Sequence, residues 1–598
     1  MENNSWYLKE RGVELLIDSG YPLEIHTCGV SIDIETDEKD NFVGLALSNG
    51  VKVWYYTKLN DEVSLVLKHG KFIGHNLKGD LKWLRKWGVN VDKKSLSYDT
   101  MIASYVVNPT ADSHGLKALA QNVLNLCWPT YGELVGKGRT KKTLDKHPIE
   151  VVSNYCGMDS LVTYKLYEHF NRIFTPSQKR IFEKIEMPIN RWLYEMEING
   201  IKISLDKLEE LDTSFFGKLQ DVLKRIKKLT SVEIERICIQ NSLQSLKEKW
   251  EQSAYKIFEK SKEFNPASSQ QKRFILNHIG IPVESTGKGI LIKYKGNELV
   301  DLLLEHSEIS KLYSAFIKSF KSIDTLPYVY TTYSQVRDNG YDSDAKGMTT
   351  GRLSSKKPNL QQIPSRSEDG KKLRQMFIPN DGHRLIVADY SQIEYRLAAH
   401  FSQDPLLCRA FNNGEDLHEA TAKALNIERH AGKQCNFCLL FGGWWTKLQA
   451  VLGISSQQAE DYYNRYWNTL QSLLWWKRRV INEARKTGGV STLLGRWIPI
   501  QGLNEVNFAR KGFAERQAIS CKVQGSAADI MKLSLLRCAE LGYVPCLTVH
   551  DELVFNITQS NIEKAQTVIK QTMESVVKLK VPLPAEIGIG DTWGDAKQ

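Results

Sequence analysis

The stretch LTVHDELVF at residues 547–555 constrains this chain most: two apolar runs flank three consecutive ionisable residues, His550, Asp551 and Glu552. Strand-forming residues on both sides of a short polar break predict a tight β-hairpin tipped with carboxylates. Adjacent acids raise each other's electrostatic energy, so such a tip persists most readily where a divalent cation lies between it and a second acidic strand. LIVADYSQIEYRL at residues 385–397 supplies that strand: an apolar run ends at Asp389, and a helical pattern begins around Glu394. Asp389 and Asp551 can then share two metal ions, an arrangement suited to in-line phosphoryl transfer. Taken singly, an acid at a strand end is more often a turn former or a helix cap.

Between these stretches lies RHAGKQCNFCLLFGG at residues 429–443, in which Arg429, Lys433, Phe437 and Phe441 recur every fourth residue. On a helix they form one slowly drifting stripe roughly 18 Å long, cationic at its start and aromatic at its end. A nucleoside triphosphate, anionic at one end and flat at the other, matches that polarity and length. The plain alternative is an amphipathic helix with two core phenylalanines and two solvated cations.

In this order the three stretches resemble motifs A, B and C of the family A DNA polymerases, the DNA polymerase I group. The resemblance extends to TGRLSSKKPNLQQIP at residues 350–364 and ERQAISCKVQGSAADI at residues 515–530. It implies that Asp389 and Asp551 are the metal-binding carboxylates of a polymerase centre and that Glu552 is a neighbouring acid. It also implies that Arg429 and Lys433 hold the incoming triphosphate, with His418 near its phosphates and Phe437 against its sugar. Phe441 and Gln392 belong to the same nucleotide site, and Glu394 closes the space that a ribose 2′-hydroxyl needs. Arg352, Asn359, Gln361, Arg516, Gln524 and His550 are implied DNA contacts along the primer terminus and minor groove. Two positions depart from the family pattern: Phe441 stands where Tyr is common, and Ser520 where Asn is frequent.

The first half carries three further acidic signals. GVSIDIETDEKD at residues 29–40 reads as an alternating strand with Asp33 and Glu35 on one face, which metal ligation and edge solubility explain equally well. FIGHNLKGDLKWLRKWG at residues 72–88 places Asn76 and Asp80 at a helix start, where Asn76 can serve as a cap. VVSNYCGMDSLVTYKLY at residues 151–167 sets Tyr155 and Asp159 four apart on a helix. Together they resemble the three motifs of the DnaQ-like 3′ to 5′ exonucleases that accompany family A polymerases, and SHGLKALA at residues 113–120 fits the same fold. The resemblance implies that Asp33, Glu35, Asp80 and Asp159 ligate two divalent metals, that Tyr155 orients the attacking water, and that proofreading is active.

The expected architecture is an α/β multidomain chain. A ribonuclease H-like (DnaQ-like) exonuclease domain at residues 1–182 precedes a right-hand polymerase. Its start and helical thumb occupy 183–330, its palm 331–403 and 504–598, and its fingers 404–503. The Lys-rich segment 205–322 reads as an antiparallel helical arm, with FNPASSQQ at residues 264–271 as its tip. Trp444, Trp445, Trp475 and Trp476 are expected to pack rather than to carry bases. The excess of 80 Lys and Arg over 69 Asp and Glu, a net charge of +11, suits a polyanionic partner. Ten cysteines without a repeated spacing indicate reduced thiols, and the single CxxC of Cys435 and Cys438 reads as buried helix thiols.

The expected activity is template-directed addition of deoxynucleoside triphosphates to a primer 3′ end, with proofreading, in DNA replication or repair. Expected cofactors are two Mg2+ ions per centre, with Mn2+ as the alternative. Expected partners are primer-template DNA and deoxynucleotides, with helicase and single-strand binding proteins unspecified, and the chain is expected to act as a monomer. With no membrane-length apolar run it is expected in the cytoplasm of a bacterial or phage-infected cell. Because the sequence begins at the exonuclease motifs, no 5′ nuclease domain is expected and flap removal falls to another protein, as in bacteriophage- or bacterial-type members. Two rivals are a 3′ exonuclease with a DNA-holding second half and a non-catalytic clamp. The intact Asp389, Asp551 and Lys433 argue against the first, and intact carboxylates in both halves against the second.

Overall fold

A computed structural model describes residues 6–22, 25, 29–136, 141–240, 248–261, 263–336 and 349–597. The chain packs as two units. The first comprises Met1–Gly200, Tyr330–Gln361 and Gly382–Ile589, and the second Ile201–Val329, Gln362–Asp381 and Gly590–Gln598.

The first unit opens on a six-stranded sheet, in the order Glu14–Ile17, Lys52–Tyr56, Phe42–Ser48, Val30–Thr36, Phe72–Gly74, Leu96–Asp99. Both faces are covered, and the period of two in the strands divides the core accordingly. Leu45, Leu47, Trp54 and Tyr56 belong to one apolar layer, which takes in Leu77, Leu81 and Leu84 of the helix Leu77–Lys86. Ala46, Val53 and Tyr55 belong to the other, against the long helix Ile149–Ile173. Because Val30–Thr36 is fourth of six strands, its acids do not lie on a sheet edge.

A second sheet of four strands runs Pro545–Val549, Glu552–Thr558, His383–Tyr390, Ala585–Gly590. The expected hairpin is present, with His550 and Asp551 forming its two-residue turn and His550 in the left-handed region at φ 56°. Such a tight turn requires positive φ, and histidine is among the side chains that tolerate it. Antiparallel register pairs Asp389 directly with Glu552, and the Tyr390 N–H donates to the Asp551 carbonyl at 3.2 Å. The 33-residue helix Phe508–Glu540 contributes to the same core.

Between residues 405 and 487 the chain is helical. Of Trp444, Trp445, Trp475 and Trp476, Trp476 is 3% exposed and stacks on Phe401 at 5.8 Å, and Trp445 packs partly buried on the core. Trp444 and Trp475 are 56% and 66% exposed, so the packing expectation fails for them. Successive residues on a helix diverge by about 100°, so Trp475 and Trp476 cannot share one core face.

The second unit is mainly helical, led by Leu205–Gln240, Lys249–Ser261, Ser269–His278 and Glu298–Leu312. Residues 264–271 lead from Lys249–Ser261 into Ser269–His278, where the Ser268 hydroxyl accepts from the Gln271 N–H as an N-cap. Cys435 and Cys438 are buried on a helix, and the nine described cysteines are free thiols. No described helix is long and apolar enough to cross a membrane.

Two candidate carboxylate centres

The first centre forms where strand Val30–Thr36 meets helix Ile149–Ile173. The Ser160 hydroxyl donates to the Ser31 carbonyl at 3.1 Å, fixing the helix against the strand one residue from Asp159. Asp33, Glu35 and Cys156 have ligand atoms within 4.8 Å of one another, the one such trio of His, Cys, Asp or Glu among the described residues. The Cys156 thiol donates to the Asp33 carbonyl at 3.4 Å, and burial pushes its pKa well up.

Burial, then the charge of Asp159, raises the Asp33 carboxyl far above the usual carboxylate range. Burial and Asp33 do the same to Glu35 and to Asp80. Asp33 Oδ2 is buried with no hydrogen-bond partner among the described residues. An orphaned carboxylate oxygen amid three other acids fits a hard divalent cation, whose charge reverses the repulsion.

Asp159 is held differently: Lys117 pairs with it, and the Trp128 indole N–H donates to it at 2.6 Å. The Lys117 ammonium also lies 4.3 Å from the Tyr155 ring centroid. Asp80 is positioned from behind by Asp99, whose carboxylate accepts from the N–H groups of Asn76 at 3.2 Å and Leu77 at 2.9 Å. Asn76 occupies the N-cap position, but its side chain makes no capping bond. An open cleft lined by Glu35, His75, Asn76, Asp80, Trp83 and Tyr131 reaches the cluster.

The second centre lies at the end of the four-stranded sheet. As cross-strand partners Asp389 and Glu552 share one face, an unfavourable pairing of like charges that a cation relieves. Arg352 Nη2 lies 2.7 Å from Glu394 Oε1 and 3.8 Å from Asp551 Oδ1. Burial raises the Glu394 pKa, Arg352 opposes that, Asp551 adds to it, and a hydrogen bond from Gln524 steadies the charged form. The Gln361 side-chain amide donates to the Thr548 carbonyl at 3.2 Å, and Asn359 accepts from the Gln361 N–H at 3.1 Å.

Between these acids in sequence lies the helix Arg429–Leu439. Phe437 is 43% exposed, with its ring centroid 5.7 Å from those of both His418 and Tyr395. Lys433 Nζ lies 6.0 Å from the same ring, and Arg429 pairs with Asp416 at 2.6 Å. His418 is tied to Asn436 at 3.1 Å, and burial lowers its pKa.

Phe441 does not complete the stripe. The helix stops at Leu439, where the Gly443 N–H donates to the Cys438 carbonyl at 2.8 Å and Gly442 turns left-handed at φ 85°. The stripe therefore has three members and spans about 12 Å, and Phe441 packs partly buried against the core. Arg516 crosses this turn so closely that a Cβ on Gly442 would lie 2.7 Å from its Cγ.

Comparison with known proteins gives a family match over each half of the chain. Residues 237–595 match the model of DNA polymerase family A. The chain belongs to that family. Residues 18–174 match the 3'-5' exonuclease model. DNA polymerase I of Treponema pallidum is 29% identical over 95% of this chain and 56% of its own length. That of Bacillus subtilis is 30% identical over 85% and 56%. The chain thus spans about half the length of these relatives. The solved POL domain of Pol1 from M. smegmatis, in complex with DNA primer-template and dNTP, superposes with a TM-score of 0.78. It is 24% identical, covers 97% of this chain and is itself covered in full, a likeness of fold.

Of the remaining family-implied residues, Gln392 is exposed in the left-handed region at φ 52°, where it starts the helix Ile393–Ser402. His550 is exposed at the hairpin tip. Sequence reasoning missed Lys117, Trp128, Asp99 and Cys156. Cys156 adjoins Tyr155 on a helix already singled out, so it was within reach. Lys117 and Trp128 meet Asp159 only through the tertiary fold.

Proposed function

We propose that the chain is a template-directed DNA polymerase that extends a primer 3′ end with deoxynucleotides and removes terminal nucleotides at a separate 3′ to 5′ exonuclease centre. The observation that carries this reading is the pairing of Asp389 with Glu552 beside Asp551, together with a stripe in which Lys433 precedes the exposed Phe437, whose ring meets that of Tyr395 beside Glu394. On this reading residues 1–182 are the exonuclease, 183–330 the start of the polymerase and its thumb, 404–503 the fingers, and 331–403 with 504–598 the palm.

Asp389 and Asp551 hold the metals of the polymerase centre, and Asp33, Glu35, Asp80 and Asp159 those of the exonuclease. All these donors are carboxylate oxygens, a set that suits two Mg2+ ions per centre, with Mn2+ as the alternative. When bound, the ions activate the attacking oxygen and neutralise charge on the leaving one. Arg429 and Lys433 neutralise the triphosphate while Phe437 packs on the sugar. Glu394, gripped by Arg352 and Gln524, closes the 2′ position. Arg352, Asn359, Gln361, Arg516, Gln524 and His550 line the DNA. In the exonuclease, Tyr155 orients water and Lys117 steadies Asp159. The working partner is primer-template DNA, bound by a monomer in the cytoplasm during replication or repair.

A 5′-labelled primer on a longer template with Mg2+ tests the reading. Extension with deoxynucleotides and shortening without them is the expected result. Shortening alone would favour an exonuclease with a DNA-holding second half.

A further inference from the structure

We infer that the exonuclease region holds the polymerase centre in place through two buried hydrogen-bonded bridges, which makes Tyr105 and Tyr333 positioning residues for primer extension. The inference rests on the polymerase reading above.

The first bridge starts at Tyr105 on helix Thr100–Val107, a fully buried side chain. Its hydroxyl accepts the Gly351 N–H at 3.1 Å. Gly351 is left-handed at φ 82°, and a Cβ there would lie 2.9 Å from Arg496 Nε. The next residue is Arg352, the cation that pairs with Glu394 and approaches Asp551.

The wall behind Gly351 is a charge cluster closed on itself. Arg496 donates through Nε to Asp529 at 2.8 Å and also pairs with Glu186. Lys532 donates to Glu186 at 2.6 Å, and the Thr492 hydroxyl to Asp529 at 2.6 Å. Two cations and two carboxylates, each at most 3% exposed, balance to zero. Removing any one would strand a buried charge, so the cluster resists rearrangement. Glu186 stands in the segment just after the exonuclease match, whereas Arg496, Asp529 and Lys532 lie in the polymerase match.

The second bridge starts at Lys78, two residues before Asp80 on the same helix. Its ammonium donates to Glu197 Oε1 and to the Tyr333 carbonyl, both at 2.6 Å. Glu197 Oε1 also accepts the Tyr333 N–H at 2.7 Å. The Tyr333 hydroxyl in turn accepts the Thr548 N–H at 3.2 Å, on the hairpin that ends in Asp551. Lys78, Glu197 and Tyr333 are 7%, 3% and 2% exposed.

Both bridges end in the same way: a tyrosine hydroxyl accepts a backbone N–H immediately before or within the segment that carries a polymerase residue. That contact fixes backbone, and small displacements of reacting groups are costly to rate. Packing alone would need the rings and not the hydroxyls.

Tyr105→Phe and Tyr333→Phe keep the rings and delete only the hydroxyls. In the full chain, kcat and KM for deoxynucleotide addition would be measured beside single-strand shortening, thermal unfolding and Mg2+ dependence. Each variant should extend primers about 2- to 10-fold more slowly in kcat with KM little changed. Shortening of a single strand should stay within about twofold of the parent. Tyr333→Phe should also need more Mg2+ for half-maximal extension, because Thr548 supports the Asp551 turn. Parental extension by both variants would overturn the inference, as would parallel loss of both activities in step with lost thermal stability. A parent that fails to extend primers would instead refute the polymerase reading itself, and this inference with it.

Discussion

The two carboxylate centres use the same chemistry and are held in different ways. In the first, four acids converge from a central strand and two helices. Burial raises the pKa values of all four and repulsion adds to it at Asp33, Glu35 and Asp80, while the centre's own cation, Lys117, sits on Asp159 and Asp33 Oδ2 has no partner among the described residues. In the second, the acids come from a strand end and a hairpin turn. Asp389 and Asp551 are half-buried, and Arg352 already stands between Glu394 and Asp551. On the proposed reading, the difference teaches that the first centre is assembled ahead of its substrate. The second is partly neutralised by the protein and is completed by nucleotide and primer.

The largest expected effects come from breaking one centre while sparing the other. Asp33→Ala with Glu35→Ala should abolish primer shortening and leave extension near normal, whereas Asp389→Ala should abolish extension and preserve duplex binding, which phosphate contacts dominate. Each loss should exceed the roughly 10- to 100-fold typical of removing a group that merely supports a metal ligand. Gel analysis of a labelled primer measures both, and loss of the two activities together in either variant would erase the distinction between the centres.

A smaller effect probes how substrate completes the second centre. Phe437 faces the proposed sugar site with no polar group, so a dideoxynucleotide, lacking its 3′-hydroxyl, should be rejected by the parent. Phe437→Tyr offers a replacement hydroxyl. In an exonuclease-deficient background it should improve terminator incorporation by about 2- to 150-fold, the range for one hydrogen bond, neutral or to a charged oxygen. Equal discrimination by variant and parent would remove Phe437 from the sugar site.

Smaller still is the change expected from Glu394→Ala, which deletes the acid that Arg352 grips. Ribonucleotide incorporation relative to deoxynucleotide should rise on the order of 10-fold, the scale of a small steric change in a binding pocket. An unchanged ratio in competitive incorporation would show that Glu394 does not guard the 2′ position.

The sequence carried the local parts of this comparison well. Alternation in residues 29–36 put Asp33 and Glu35 on one face, and the apolar runs around His550–Asp551 foretold the hairpin, because both depend on neighbours in the chain. The fingers stripe was overextended, since spacing by four continues through Phe441. Yet Gly442 and Gly443 are a helix stop written in the same stretch. The pairing of Lys117 with Asp159 and the cluster of Glu186, Arg496, Asp529 and Lys532 were not legible, because no periodicity links residues that only the fold brings together. Nor was the division into two units, in which residues 362–381 and 590–597 group with the helical segment 201–329.

Titration of the full chain with Mn2+ in the absence of nucleic acid, read by the paramagnetic resonance of the free ion, tests the contrast most directly. A centre assembled in advance predicts tight Mn2+ binding that Asp33→Ala with Glu35→Ala removes and Asp389→Ala with Asp551→Ala leaves intact. Further Mn2+ uptake dependent on Asp389 and Asp551 should follow only once primer-template and nucleotide are added. Tight binding that survives loss of Asp33 and Glu35, or that vanishes with Asp389 and Asp551 alone, would contradict the account.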